Sequence, residues 1–218
     1  MGAQRLPGKM LLDLHGYPVI EWVFKRVSAA GKLNEVVFAL PGTTQNDVLA
    51  EYLLDIGATV FRGSETDVLD RFYQAAKTYN AGQVVRICAD NPFVSATEID
   101  KLVVHFSNVK CDYAYNHIPR DNLYPDGLGA EITTIENLEH LNTVATSKDH
   151  REHIFNYIWD NKDRFKISTF DPDDEGLLHP ELKLDLDTSE DLHRLLQLEV
   201  NPDMSASQIV KATLKAWN

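Results

Sequence analysis

Four side chains that stand far apart in this sequence could together grip a polyphosphate: Arg5 and Lys9 in the loop Gly2-Ala3-Gln4-Arg5-Leu6-Pro7-Gly8-Lys9, and the carboxylates Asp90 and Asp187. Glycines at 2 and 8 let backbone N–H groups approach an anion, Arg5 offers a rigid fork of donors, and Lys9 a compact charge. Pro7 stiffens the turn between the two cations. The pattern is neither a Walker A loop, since Met10 follows Lys9, nor a dinucleotide fingerprint, and alone it reads as a solvated terminal stretch. Asp90 follows the apolar run Val84–Cys88 and Asp187 follows Leu182–Leu186. Ligands of open parallel sheets bind beyond the carboxyl ends of the strands, so these two acids are candidates to hold one Mg²⁺ against phosphate oxygens. Each acid alone reads as a turn or helix-entry residue. Together with the basic loop they read as a site.

The elements that must position them alternate. Val19, Ile20, Val23, Phe24 and Val27 predict a helix over 18–30 ended by Gly31, followed by strand 36–40. Thr44 with Asp47 predicts the cap of a helix running to 56, before strand 58–61. A helix over 67–79, strand 84–88 and a helix over 96–107, opened by a Ser95–Glu98 capping box, follow. Apolar strands in β–α alternation indicate a mainly parallel sheet between helices. The rhythm breaks over 111–165, read as an α+β arm, with a strand-like stretch, a Pro- and Gly-bearing loop, Glu131–Thr134, and helices 136–145 and 149–161. Beyond it lie Phe165–Phe170, a polar loop 171–181, strand 182–186, a helix capped by Thr188 and Asp191, and a last helix 205–217.

The 218 residues form one domain with ordinary globular composition, 44% hydrophobic and 25% charged. A net charge of −12 argues against a nucleic-acid or acidic-membrane partner, and an anionic ligand needs a locally basic pocket. Arg62, Arg71 and Arg86, at ends of predicted elements, could supply it beside Arg5 and Lys9. No run is long enough for a membrane span and no secretory signal is present, so the expected address is the cytoplasm, with Cys88 and Cys111 reduced. Asp185-Leu186-Asp187 matches a paired-acid signature of nucleotide-sugar glycosyltransferases, or marks one solvated strand face. His150 and His153 lack a third metal ligand, and Ser107 with Lys110 lacks the partner motifs of a Ser-x-x-Lys nucleophile.

Several motifs add to these residues: Gly16-Tyr17-Pro18, Phe61-Arg62-Gly63-Ser64, Asp67-Val68-Leu69-Asp70-Arg71, Val85-Arg86-Ile87, Asp90-Asn91-Pro92, Tyr124-Pro125-Asp126-Gly127, Arg151-Glu152-His153 and Asp187–Leu192. With them the chain resembles, from residue 1 to about 197, the cytidylyltransferase family that activates acidic sugars, most closely its spore coat polysaccharide type. The resemblance implies a GT-A-like, Rossmann-related fold and Mg²⁺-dependent transfer of CMP from CTP to a sugar or sugar acid for glycan precursor synthesis. It implies a nucleotide site of Gly2, Ala3, Arg5, Lys9, Arg62, Asp67, Val68, Arg71 and Arg86, with Arg5, Lys9, Asp90 and Asp187 catalytic and Asp90 and Asp187 on the metal. Asn116, Tyr124, Asp126, Glu131, Arg151 and His153 would line the sugar pocket, and segment 111–165 would pair two copies into a homodimer. Ala89-Asp90-Asn91-Pro92 departs from the family's Gly-Asp-Cys-Pro, and Ala3-Gln4 from its Ser-Thr. The rivals are a GT-A glycosyltransferase and a degenerate nucleotide-binding protein. The family places an apolar strand ahead of the loop, so an upstream extension is expected. Such a strand, at roughly 1.5–3 kcal/mol per buried side chain, is comparable to a domain's whole net stability of roughly 5–15 kcal/mol.

Overall fold

The computed structural model describes residues 5–217. Its α/β fold follows the expected alternation as far as the fourth helix. After a short hairpin of β1 (Asp13–Leu14) and β2 (Tyr17–Pro18) come α1 (Val19–Ser28), β3 (Val37–Pro41), α2 (Asp47–Asp55), β4 (Thr59–Gly63), α3 (Val68–Thr78), β5 (Gln83–Arg86) and α4 (Ala96–Val109). β6 (Tyr113–Tyr115), β7 (Glu131–Thr134), α5 (Ile135–Val144), α6 (Lys148–Glu152), α7 (Asn156–Asp160), β8 (Ile167–Ser168), α8 (Ser189–Leu196) and α9 (Ala206–Trp217) complete the chain.

Side-chain caps fix several helix starts. Asp67 accepts from the Asp70 amide at 2.9 Å to open α3, and Thr188 with Asp191 forms a reciprocal capping box on α8. Ser95 caps α4, but only one half of the expected box exists, because Glu98 turns inward to Tyr124 and Lys101. The helix expected over 149–161 is two short helices, since His153 leaves the helical region (φ −111, ψ 94).

The sheet is mixed rather than mainly parallel. β3 and β4 run parallel, Val37 opposite Thr59 and Pro41 opposite Gly63. A second sheet has the order β5-β7-β6-β8, in which β7 is antiparallel to both neighbours and β6 is parallel to β8. The cause is the long connection 116–130, which carries the chain back so that β7 enters between β5 and β6 in the reverse direction. The two strands of segment 111–165 lie inside this sheet. The expected strand 182–186 is extended but joins no ladder: Leu184 donates to the Asp126 carbonyl and Leu186 to that of Asp90, at 3.0 and 2.8 Å. Among the described residues, β3 and β5 have no strand partner on their remaining edges.

Three apolar clusters hold the layers together. One joins α1, α2 and α4 to β3 and β7, a second packs Trp22, Phe93 and Leu182–Leu186 against α8 and α9, and a third sets α3 and α5 against Tyr113 and Tyr115. Arg26 on α1 donates to the carbonyls of Val94, Pro202 and Met204 at 2.7, 2.9 and 2.8 Å, anchoring the C-terminal segment.

Candidate functional site

Gly8 adopts a left-handed conformation (φ 72), which turns the chain so that the next side chain, Lys9, points inward and is buried. Its ammonium donates to Asp90 Oδ2 at 2.8 Å, to the Leu186 carbonyl at 2.8 Å and to Asp187 Oδ1 at 3.3 Å. Asp90 arrives just beyond β5, and the Leu186–Asp90 backbone bond lays residues 186–187 beside it. The Asp187 and Thr188 amides both donate to Asp191 Oδ2, which fixes the turn. Burial works against the Asp191 charge, but these amides and the Thr188 hydroxyl hold its carboxyl below the ordinary range. Arg5 pairs with Asp187 Oδ2 at 3.0 Å while 69% exposed, leaving most of its donors to solvent. Thus Arg5, Lys9, Asp90 and Asp187 meet at one point although up to 182 positions separate them.

Two further acids border this point. The Asp126 carboxyl is pushed up to about 6 by burial and by the neighbouring charges of Asp185, Asp90 and Asp187. Asp185 is also raised by burial, against the pull of Lys183 at 3.3 Å. The close approach of the two segments requires Gly127, whose φ is +94 and whose Cβ would stand 3.0 Å from the Asp185 amide nitrogen.

This acid has a thermodynamic signature. Between an unfolded value near 3.8 and a folded value of about 6 the folded protein holds the extra proton, so Asp126 withdraws stability as pH rises through that window. Asp126→Asn is therefore expected to raise the melting temperature by a few degrees at pH 8 and to leave it unchanged near pH 3.5, read by circular dichroism. A shift of equal size at both pH values would place the effect in packing.

Asp90 and Asp187 can accommodate a divalent cation. Their oxygens already converge on one buried positive charge, and two carboxylates plus water and phosphate oxygens is a magnesium-type donor set. Among the described residues no group of three or more His, Cys, Asp or Glu forms a cation cage, so ligand oxygens must complete the shell.

Other expected site residues are committed elsewhere. Asn116 is fully buried, its amide donating to the Glu98 carbonyl and accepting from Ala130 N at 3.0 and 2.9 Å, so it fastens two backbone segments rather than lining a sugar pocket. Tyr124 is likewise fully buried and donates to Glu98 at 2.5 Å. Glu131 faces Arg86 across β7 and β5, accepts from the Tyr113 hydroxyl, and so neutralises a cation expected at the nucleotide. Arg71 is buried and holds the carbonyls of Ser64 and Glu65; Arg62 braces the carbonyls of Pro41 and Thr43 and pairs with Asp47. Arg151 forks onto Asp67 Oδ2 at 2.8 and 2.6 Å, which ties α6 to the start of α3. Val68 begins α3 beside that pair, and His153 is exposed, 4.0 Å from Asp149. Gly2 and Ala3 lie outside the described residues.

His117 is a residue that sequence reasoning missed. Its Nε2 stands 3.8 Å from Glu131, and its buried Nδ1 has no partner among the described residues. Burial lowers its pKa, which keeps the ring neutral. Its one signal in the sequence is its place just after β6.

Comparison with known proteins follows the same pattern. A family model described as cytidylyltransferase matches residues 1–207. An uncharacterized protein of Methanocaldococcus jannaschii is 34% identical over 203 residues, covering 93% of this chain and 81% of the relative. The spore coat polysaccharide biosynthesis protein SpsF of Bacillus subtilis is 27% identical, over 96% of this chain and 89% of its own. A solved cytidylyltransferase structure from Leptospira borgpetersenii superposes with a TM-score of 0.88 at 28% identity, covering 99% of this chain and 90% of that one.

Proposed function

The chain belongs to the cytidylyltransferase family, and from that premise we propose that it transfers CMP from CTP to a hydroxyl of a sugar or sugar acid, releasing pyrophosphate. The observation that carries this reading is the convergence of Asp90 and Asp187 on Lys9, with the exposed Arg5 beside them. Attack of the hydroxyl on the α-phosphorus forms the new P–O bond as the bond to the β-phosphate oxygen breaks. Negative charge then grows on the departing pyrophosphate, and the exposed Arg5 would meet it with the donors that Asp187 leaves unused. Lys9 holds the two carboxylates together and reduces their mutual repulsion; it reaches phosphate only by giving up one of its three present partners. Mg²⁺ held by Asp90 and Asp187 would polarise the α-phosphate and orient the attacking oxygen.

The glycosyltransferase reading needs Asp185 and Asp187 to act as one pair. They are divided instead, Asp185 on Lys183 and Asp187 on Lys9 and Arg5. The products decide between the two: purified protein with CTP and a panel of sugar acids is expected to release pyrophosphate, to stop with EDTA and to resume with Mg²⁺. Release of a nucleotide from a nucleotide sugar, without pyrophosphate from CTP, would overturn the proposal. Among the described residues no helix is long and apolar enough to cross a membrane.

A further inference from the structure

Lys9 is a buried cation with every donor committed. Its ammonium carries three N–H groups, which Asp90 Oδ2, the Leu186 carbonyl and Asp187 Oδ1 accept at 2.8, 2.8 and 3.3 Å. The ammonium therefore stands in the gap between the same two carboxylates that fit a divalent cation. A cation shared by both acids has to enter that gap, at roughly 2.0–2.1 Å from its oxygens for Mg²⁺, closer than the ammonium lies. The Leu186 amide donates to the Asp90 carbonyl at 2.8 Å, which ties the two acid-bearing segments at a fixed spacing. Two positive charges in one partly buried gap repel strongly, because little water screens them. Arg5 is the contrast: it meets only Asp187, at 3.0 Å, and with its side chain 69% exposed it can yield by turning into solvent.

Resting on the reading of Asp90 and Asp187 as metal ligands, we propose that Lys9 is an exchangeable counter-ion: it leaves the two carboxylates when a divalent cation enters and then takes the triphosphate beside Arg5. Its four-carbon stem lets the ammonium swing while the backbone turn set by Gly8 stays in place. Each half of the exchange is unfavourable alone. A metal ion without nucleotide displaces an ammonium that has no new partner, and a nucleotide without metal finds Lys9 already committed. When both arrive, the carboxylates hold the metal and the phosphates hold the ammonium, so no charge is stranded. Lys9 thereby makes the site take metal and triphosphate as a pair and either one weakly. By linkage each ligand raises the affinity for the other by the same factor.

The test reads Mn²⁺ affinity by electron paramagnetic resonance rather than turnover, in the wild-type chain, Lys9→Met, Lys9→Gln, Arg5→Gln and Asp90→Asn. Without nucleotide, Lys9→Met is expected to bind Mn²⁺ at least about 10-fold more tightly than the wild type, and Arg5→Gln less than about 3-fold more tightly. Lys9→Gln keeps a donor for the Leu186 carbonyl without the charge, so it should match Lys9→Met and replaces it if that variant does not fold. A non-hydrolysable CTP analogue is expected to raise the Mn²⁺ affinity of the wild type by a factor at least about 5-fold larger than in the Lys9 variants. In the wild type itself, acetylation of Lys9 by acetic anhydride, followed by mass spectrometry, should be slow in EDTA and faster in saturating Mn²⁺. Equal Mn²⁺ affinity in the wild type and the Lys9 variants overturns the exchange, and so does Lys9 acetylation that Mn²⁺ leaves unchanged. Equal tightening by Arg5→Gln also overturns it, because Lys9 would then act only as one nearby charge among others. Mn²⁺ binding that survives intact in Asp90→Asn removes the metal site itself, which tells failure of that reading from failure of the exchange.

Discussion

Asp90→Asn is expected to lower CTP-dependent pyrophosphate release by roughly 1000-fold or more while the protein stays folded. Asparagine preserves shape and can still accept from Lys9, but it removes one of the two charges that converge at this point. Lys9 keeps the Leu186 carbonyl and Asp187, so no buried ammonium is stranded and the melting temperature should move by only a few degrees. Steady-state kinetics with CTP and circular dichroism separate the two effects. Asp185→Asn is the informative control, because Asp185 pairs with Lys183 and not with Lys9. It should cost far less rate. Equal losses from both variants would restore the paired-acid reading of Asp185-Leu186-Asp187, and normal turnover of Asp90→Asn would remove Asp90 from the site altogether.

The contrast between these acids shows what the sequence could carry. The proximity of Asp90 and Asp187 was legible in part, because each follows a strand-like segment, but residues 182–186 join no ladder and reach Asp90 through the Leu186 amide instead. The order of the sheet was not legible. Glu131–Thr134 has the same local pattern whether it runs with β5 or against it, and only the return path through 116–130 sets its direction. Partnerships were equally hidden. Asn116, Tyr124 and Arg151 have the residue types of a polar pocket, but their partners Glu98 and Asp67 lie 18, 26 and 84 positions away. Local pattern cannot tell a side chain that awaits a ligand from one already satisfied by a distant segment. Gly129 is a further case: its missing Cβ is what lets residue 129 lie against Asn116, where a Cβ would stand 2.2 Å from the carbonyl oxygen.

Glu131 gives that distinction its sharpest test. Its carboxylate is 4% exposed and pairs with Arg86 across the β5–β7 ladder, while the Tyr113 hydroxyl donates to its other oxygen at 2.5 Å. Burial opposes its charge, yet the Arg86 guanidinium, with help from the Tyr113 hydroxyl, holds the Glu131 pKa below its ordinary value. Glu131→Ala leaves a guanidinium facing the sheet interior without its counter-charge, at a cost of about 3–5 kcal/mol. Against a net stability of roughly 5–15 kcal/mol, that should lower the melting temperature by about 10 °C or more at neutral pH. Because the folded pKa is depressed, the pair's contribution is present above the unfolded value of about 4.5 and fades as pH falls through the folded one. The penalty of the variant should therefore shrink in acid. Replacing both partners, as Arg86→Met with Glu131→Leu, removes the stranded charge and should recover much of the lost stability. A sugar-contacting Glu131 would behave otherwise: Glu131→Ala would raise KM with the melting temperature unchanged, and the double replacement would rescue nothing.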